Sequence, residues 1–170
     1  MANQGELQLE PVSVSSMLVD AAHQLEQYAR QYDIDIELAI AGRYEPVMAH
    51  KAGLKAALTS LGYALIGSQA AQHTTTGRQR IVLAGHRNSH GIVTGMYGST
   101  AMDGNELRKA LQLCGKARQP FASLLGSSSA GVFVADALAQ AMDSKLRVGH
   151  HGRQSGLAIT FQPSKQLQFV

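Results

Sequence analysis

Apolar residues recur along this chain with two periods, and the points where one gives way to the other divide it into elements. Over residues 12–32, Val14, Leu18, Ala21, Ala22, Leu25, Tyr28 and Ala29 fall three or four apart, which predicts a helix with one buried stripe. Ser15 and Ser16 are its candidate N-caps. Ile34, Ile36, Leu38 and Ile40 then alternate with Asp35, Glu37 and Ala39, the pattern of a half-buried strand. A turn at Gly42 and Arg43 leads to a short strand expected at 45–49. Residues 51–72 predict a longer helix with Leu54, Ala57, Leu58, Leu61 and Leu65 on one face. Gly62 and Gly67 inside it each weaken a helix by roughly 1 kcal/mol relative to Ala, so close packing or a ligand is expected there. Residues 80–86 and 91–96 suit a hairpin around Asn88-Ser89-His90-Gly91. A Gly- and Ser-rich turn (97–103), a helix (104–113) and a weakly periodic loop (115–125) follow. The chain closes with a helix at 130–142 and strands at 145–150 and 156–162. This order predicts an α+β fold, a two-layer sandwich with helices on one face of a mixed sheet. Residues 1–11, polar and ending at Pro11, suit a linker or leading segment, and 12–170 one domain.

Composition narrows the functions. A chain of 170 residues with 45% hydrophobic content can bury a real core. The net charge is +3, but Lys and Arg are scattered without a block of like charge, so no nucleic acid partner is expected. An anionic ligand or acidic partner remains compatible. Cys114 stands alone, which removes a disulfide framework and a cysteine zinc site. No apolar run reaches membrane-spanning length and the N-terminus lacks a signal-peptide pattern, so the expectation is a cytoplasmic segment with no membrane contact.

Candidate chemistry is concentrated in the second half. Ser127-Ser128-Ser129-Ala130-Gly131 is a turn of small residues that opens a helix, where backbone N–H groups and the helix dipole favour an anion. No His and Asp companions at a diagnostic spacing make these serines nucleophiles. Ser60, Ala64 and Gly67 lie three or four apart beside the leucine face, either as a pocket wall or as a small-residue face for helix packing. His86, His90, His150 and His151 sit in turn contexts without nearby carboxylates, which favours surface histidines over a zinc site. His23 reads as an exposed helix residue, and Lys109, Lys116 and Arg118 as loop charges able to meet phosphates.

Over residues 12–163 the element order and spacing resemble the ATP-binding catalytic domain of sensor histidine kinases, members of the GHKL superfamily with the Bergerat fold. Leu54 to Ile66 reads L-x-x-A-L-x-S-L-x-x-A-L-I, against L-x-x-V-L-x-N-L-x-x-N-A-I in the family's N-box. On that resemblance Ser60 holds the first asparagine position, Ala64 the Mg²⁺-binding second, and Gly67 that of a basic residue. Tyr97 stands at the adenine-binding aspartate of the first glycine box, with Ser99 and Ala101 at its glycines and Met102 at its closing apolar position. In the second box Gly131 is kept while Ser127 and Ser129 replace glycines, and Ser155 stands where a Ser or Thr helps bind adenine. The resemblance implies a degenerate nucleotide site in a two-component signalling protein. ATP or ADP would bind weakly, Mg²⁺ would lack its anchor, and no catalytic residue is assigned. The implied partners are a flanking dimerisation domain or a response-regulator-like protein. A regulatory interaction module without nucleotide is the alternative.

Overall fold

The computed structural model describes residues 8–42, 46–71, 78–98 and 129–163. The first helix, α1 (Val14–Arg30), is capped by Ser13, whose hydroxyl accepts from the Ser16 N–H. The cap thus lies two residues before the expected Ser15, because Ser13 has the extended backbone an N-cap needs. Ahead of it, Glu10–Val12 form β1, paired antiparallel with β3 (Val47–Ala49). The domain therefore begins inside the segment expected to be a linker.

Between them β2 (Ile34–Ile40) has the predicted bounds, and α2 spans Lys51–Ala71. Strands β4 (Gln79–Asn88) and β5 (Gly91–Gly98) form the expected hairpin. Helix α3 covers Ser129–Ala141, followed by β6 (Leu146–His151) and β7 (Gln154–Phe161). The main sheet has the order β2-β4-β5-β7-β6. Its β2–β4 pair is parallel, joined through α2 as a crossover, and the other pairs are antiparallel. The expected helix at 104–113 and loop at 115–125 lie outside the described residues.

The helices cover one face of this sheet. Leu18, Leu25, Leu58, Leu61, Ile81, Ile92, Met96, Ile159 and Phe161 are fully buried in one continuous core between the layers. Gly62 explains how tightly α1 and α2 meet. A Cβ there would overlap the Leu25 side chain, so the glycine's helix penalty is offset by close approach. On the sheet's other face, β2 and β4 carry the exposed ion pairs Asp35–Arg78 (3.1 Å) and Glu37–Arg80 (3.5 Å).

Candidate functional site

Two places on the helix side gather the candidate residues. The first is the seam between α2 and α3. Gly131, in the first turn of α3, lies so close to α2 that a Cβ on it would stand 2.5 Å from the Ser60 carbonyl oxygen and 3.1 Å from the Ala64 methyl. Ala64 is buried, and Ser60 is partly covered. The two small residues thus serve as a helix-packing face, the second of their two sequence readings. Gly67 lies farther along α2, and a Cβ there would meet nothing within 4 Å.

The second place is the end of the sheet where β5 stops. Gly98 pairs with Ser155 on β7, which pairs with His150 on β6. The Ser155 hydroxyl and His150 Nδ1 are 3.2 Å apart. From α2, the buried Gln69 closes over Gly98, with its Oε1 where a Gly98 Cβ would be, while its Nε2 donates to the Arg80 carbonyl at 3.4 Å. Gln69 was not singled out by the sequence, because a single buried amide in an apolar helix has no periodic signature. A helix-side polar group among leucines is the signal that could have found it.

Tyr97 is not in this place. Side chains alternate along β5, so Met96 packs into the core beneath the helices while Tyr97 packs on the opposite face with Val82, Ala84, Val93 and Ala158. The phenol rests over Gly95, with His151 stacked on it at a ring separation of 5.6 Å. Burial raises its pKa above 10.0, which keeps it a neutral phenol. Tyr97 was expected at the position of a base-binding aspartate; its ring lies on the sheet face away from Ser155 and α2. The residue of β5 that faces Ser155 and α2 is Gly98, and it offers no side chain at all.

Ser99, Ala101, Met102 and Ser127 lie outside the described residues. Ser129 is the first residue of α3, and its side chain is likewise outside them. Among the described residues no three His, Cys, Asp or Glu side chains come together as a metal site. At the seam, the Ala64 side chain carries no oxygen and Gly131 lies against it.

No family model matches the sequence, and no curated protein matches it. Solved structures do match. The catalytic domain of the histidine kinase ThkA, nucleotide free, superposes with a TM-score of 0.65 at 13% identity, covering 91% of this chain and 95% of that one. The fold is that of a histidine kinase catalytic domain. The ATP binding domain of PrrB from Mycobacterium tuberculosis gives a TM-score of 0.62 at 17% identity over 92% of this chain and 98% of that domain. Full-length ShkA in complex with AMPPNP gives 0.67 at 17% identity over 96% of this chain. The chain spans 33% of the length of ShkA. In the histidine kinase fold shared with these structures, the α2–α3 seam and the Gly98–Ser155 end lie on the same helix-covered side of the sheet.

Proposed function

We propose that this chain is the nucleotide-binding domain of a two-component signalling protein, with a degenerate site that binds ATP or ADP weakly and does not depend on Mg²⁺. Its role is then that of a pseudokinase module, working in the cytoplasm beside a dimerisation domain or a response-regulator-like partner. The observation that carries this reading is the seating of Gly131 on Ser60 and Ala64. Where a metal and phosphates would need oxygen ligands and space, two helices touch through small residues. Phosphoryl transfer depends on positioning and on neutralising phosphate charge, so loss of the ion's ligands removes chemistry before it removes binding.

The base end supports weak recognition. Gln69, Ser155 and His150 can each hydrogen-bond a planar ring, but none is a carboxylate. The complex of full-length ShkA with AMPPNP makes an adenine nucleotide the first ligand to try. Calorimetric titration with ATP and ADP, with and without Mg²⁺, tests the reading. Weak binding that changes little with the metal is expected. Tight binding that collapses on adding a chelator would sink it, because some residue would then hold the ion.

A second reading is a regulatory interaction module that binds no nucleotide. The same closed seam favours it, since a cleft filled by its own helices needs no ligand to be stable. Absence of any nucleotide heat, together with an intact fold, decides for this second reading.

A further inference from the structure

The other face of the sheet carries a cavity of about 740 Å³, well within the size of small-molecule sites. Its floor is apolar: Val93, Ala158 and the ring of Tyr97. One wall is the β4–β5 hairpin with His86 and His90; the other is the start of β6 with Lys145 and Arg147. The trough exists because glycines hold it open. Gly95 lies under the Tyr97 ring, and a side chain there would occupy the phenol's place, while Gly149 lies beside it in ordinary contact.

Two observations point to a ligand. The cations of this face are treated unequally: Arg78 and Arg80 have carboxylate partners on β2, whereas Lys145 and Arg147 have no ion pair among the described residues. Asp143 is the one carboxylate among the described lining residues. Independently, Tyr97 is 1% exposed, lines the cavity, and makes no hydrogen bond through its hydroxyl among the described residues. The ring is buried while its hydroxyl still reaches the trough, where it can donate to an acceptor atom.

We infer that this outer face, which shares only His150 of its lining with the Ser155 end, is a second binding site for a small organic anion with an apolar body. The body covers Val93 and Ala158, the charged end meets Arg147 and Lys145, and an acceptor atom takes the Tyr97 hydroxyl proton in a hydrogen bond. Arg147 offers the planar fork that suits phosphate and carboxylate alike.

The test titrates the full 170-residue chain with phenyl phosphate, benzene-1,3-dicarboxylate and inorganic phosphate, followed by backbone amide shifts. At least one aromatic anion should saturate, with shifts at Tyr97 and Arg147, and roughly tenfold tighter than inorganic phosphate because its ring is buried. Which of the two binds separates a phosphate ligand from a carboxylate one. Lys145→Glu with Arg147→Glu, both exposed positions, should weaken binding by about tenfold or more. Tyr97→Phe should weaken it a few-fold, by about one neutral hydrogen bond. The inference is overturned if neither aromatic anion saturates, if inorganic phosphate binds as well, or if the charge reversal leaves affinity unchanged. Shifts centred on Gln69, Gly98 and Ser155 would assign the anion to the helix-side cleft and also overturn it.

Discussion

The two faces of β5 differ in what fills them. On the helix side, Gly131 lies directly on Ser60 and Ala64, and Gln69 lies on Gly98. On the outer side, the same strand supports a trough floored by Tyr97, with cations on its wall that no described carboxylate neutralises. Glycines serve opposite ends on the two faces. At Gly131 the missing side chain closes a gap between helices; at Gly95 it keeps space for a ring. A small residue at a site position therefore says nothing about ligand binding until its neighbour across the gap is known.

The largest effect should come from Gly156, which serves both faces because it joins β7 to β5 opposite Tyr97. A Cβ there would overlap the Met96 carbonyl and the Tyr97 Cα, and backbone cannot swing aside. Gly156→Ala should destabilise the fold by about 3 kcal/mol or more, measured by urea unfolding. A loss under about 1 kcal/mol would mean the β5–β7 approach relaxes freely, and the contrast between faces would lose its common frame.

Next, Gly131→Ala against Gly67→Ala separates packing from pocket on the helix side. Gly131→Ala pushes α3 against the Ser60 carbonyl and should cost about 1–3 kcal/mol. Gly67→Ala meets open space in an α-helix and should stabilise by up to about 1 kcal/mol. Equal effects at both positions would contradict the seam. Thr94 offers a smaller change on this face. Its hydroxyl is buried without a partner, so Thr94→Val is expected to be neutral or to stabilise by about 1 kcal/mol in the same unfolding assay.

Much of the architecture was legible in the sequence. Ile34 to Ile40 alternates cleanly because one face of an edge strand is solvated, and α2 shows its leucine stripe from Leu54 to Leu65, about three turns. The face assignment of β5 was not legible. All eight residues of Gly91–Gly98 are buried, so apolar residues occupy both faces and alternation carries no information on which way Tyr97 points. A shift of one position exchanges Tyr97 for Gly98 and moves the residue to the other side of the sheet. The site was less legible than the fold for a related reason. Periodicity reports that Ser60 and Ala64 share a stripe, but Gly131, which covers them, is some seventy positions away in the chain.

That one-position difference predicts how nucleotide affinity could be improved. Ala64→Asn with Gly98→Asp, made with Gln69→Ala to clear the space Gln69 Oε1 now takes, places an amide and a carboxylate on the helix side. Affinity for ATP should rise by roughly tenfold, the worth of one charge-assisted hydrogen bond. Ala64→Asn with Tyr97→Asp should give no such gain, because the new carboxylate would lie on the outer face. Calorimetry on the two variants side by side decides. Improvement by the Tyr97 variant alone would put the base on the wrong face for this reading.

The smallest expected effect concerns the outer face alone and appears at alkaline pH. Burial holds the Tyr97 pKa above its ordinary value of 10.0. The unfolded chain ionises first, so between the unfolded and the raised folded pKa the native state holds more protons. The stability due to the neutral buried phenol is thus complete below about pH 10 and is lost as pH rises through the folded value. Tyr97→Phe removes the ionising group while keeping the ring over Gly95, and should flatten the alkaline limb of the stability curve. Tyr28 also has a raised pKa, from its hydrogen bond with Tyr32, then desolvation and the nearby Tyr32 and Tyr63 charges. Tyr28→Phe is the matching control, since that side chain lies on the helix side and is packed edge-on to Tyr32 and Tyr63. Urea unfolding of the three proteins between about pH 8 and 11 measures the difference. If Tyr97→Phe follows the parent curve through that range, the phenol is solvated in the native state, and its ring does not form the trough's apolar floor.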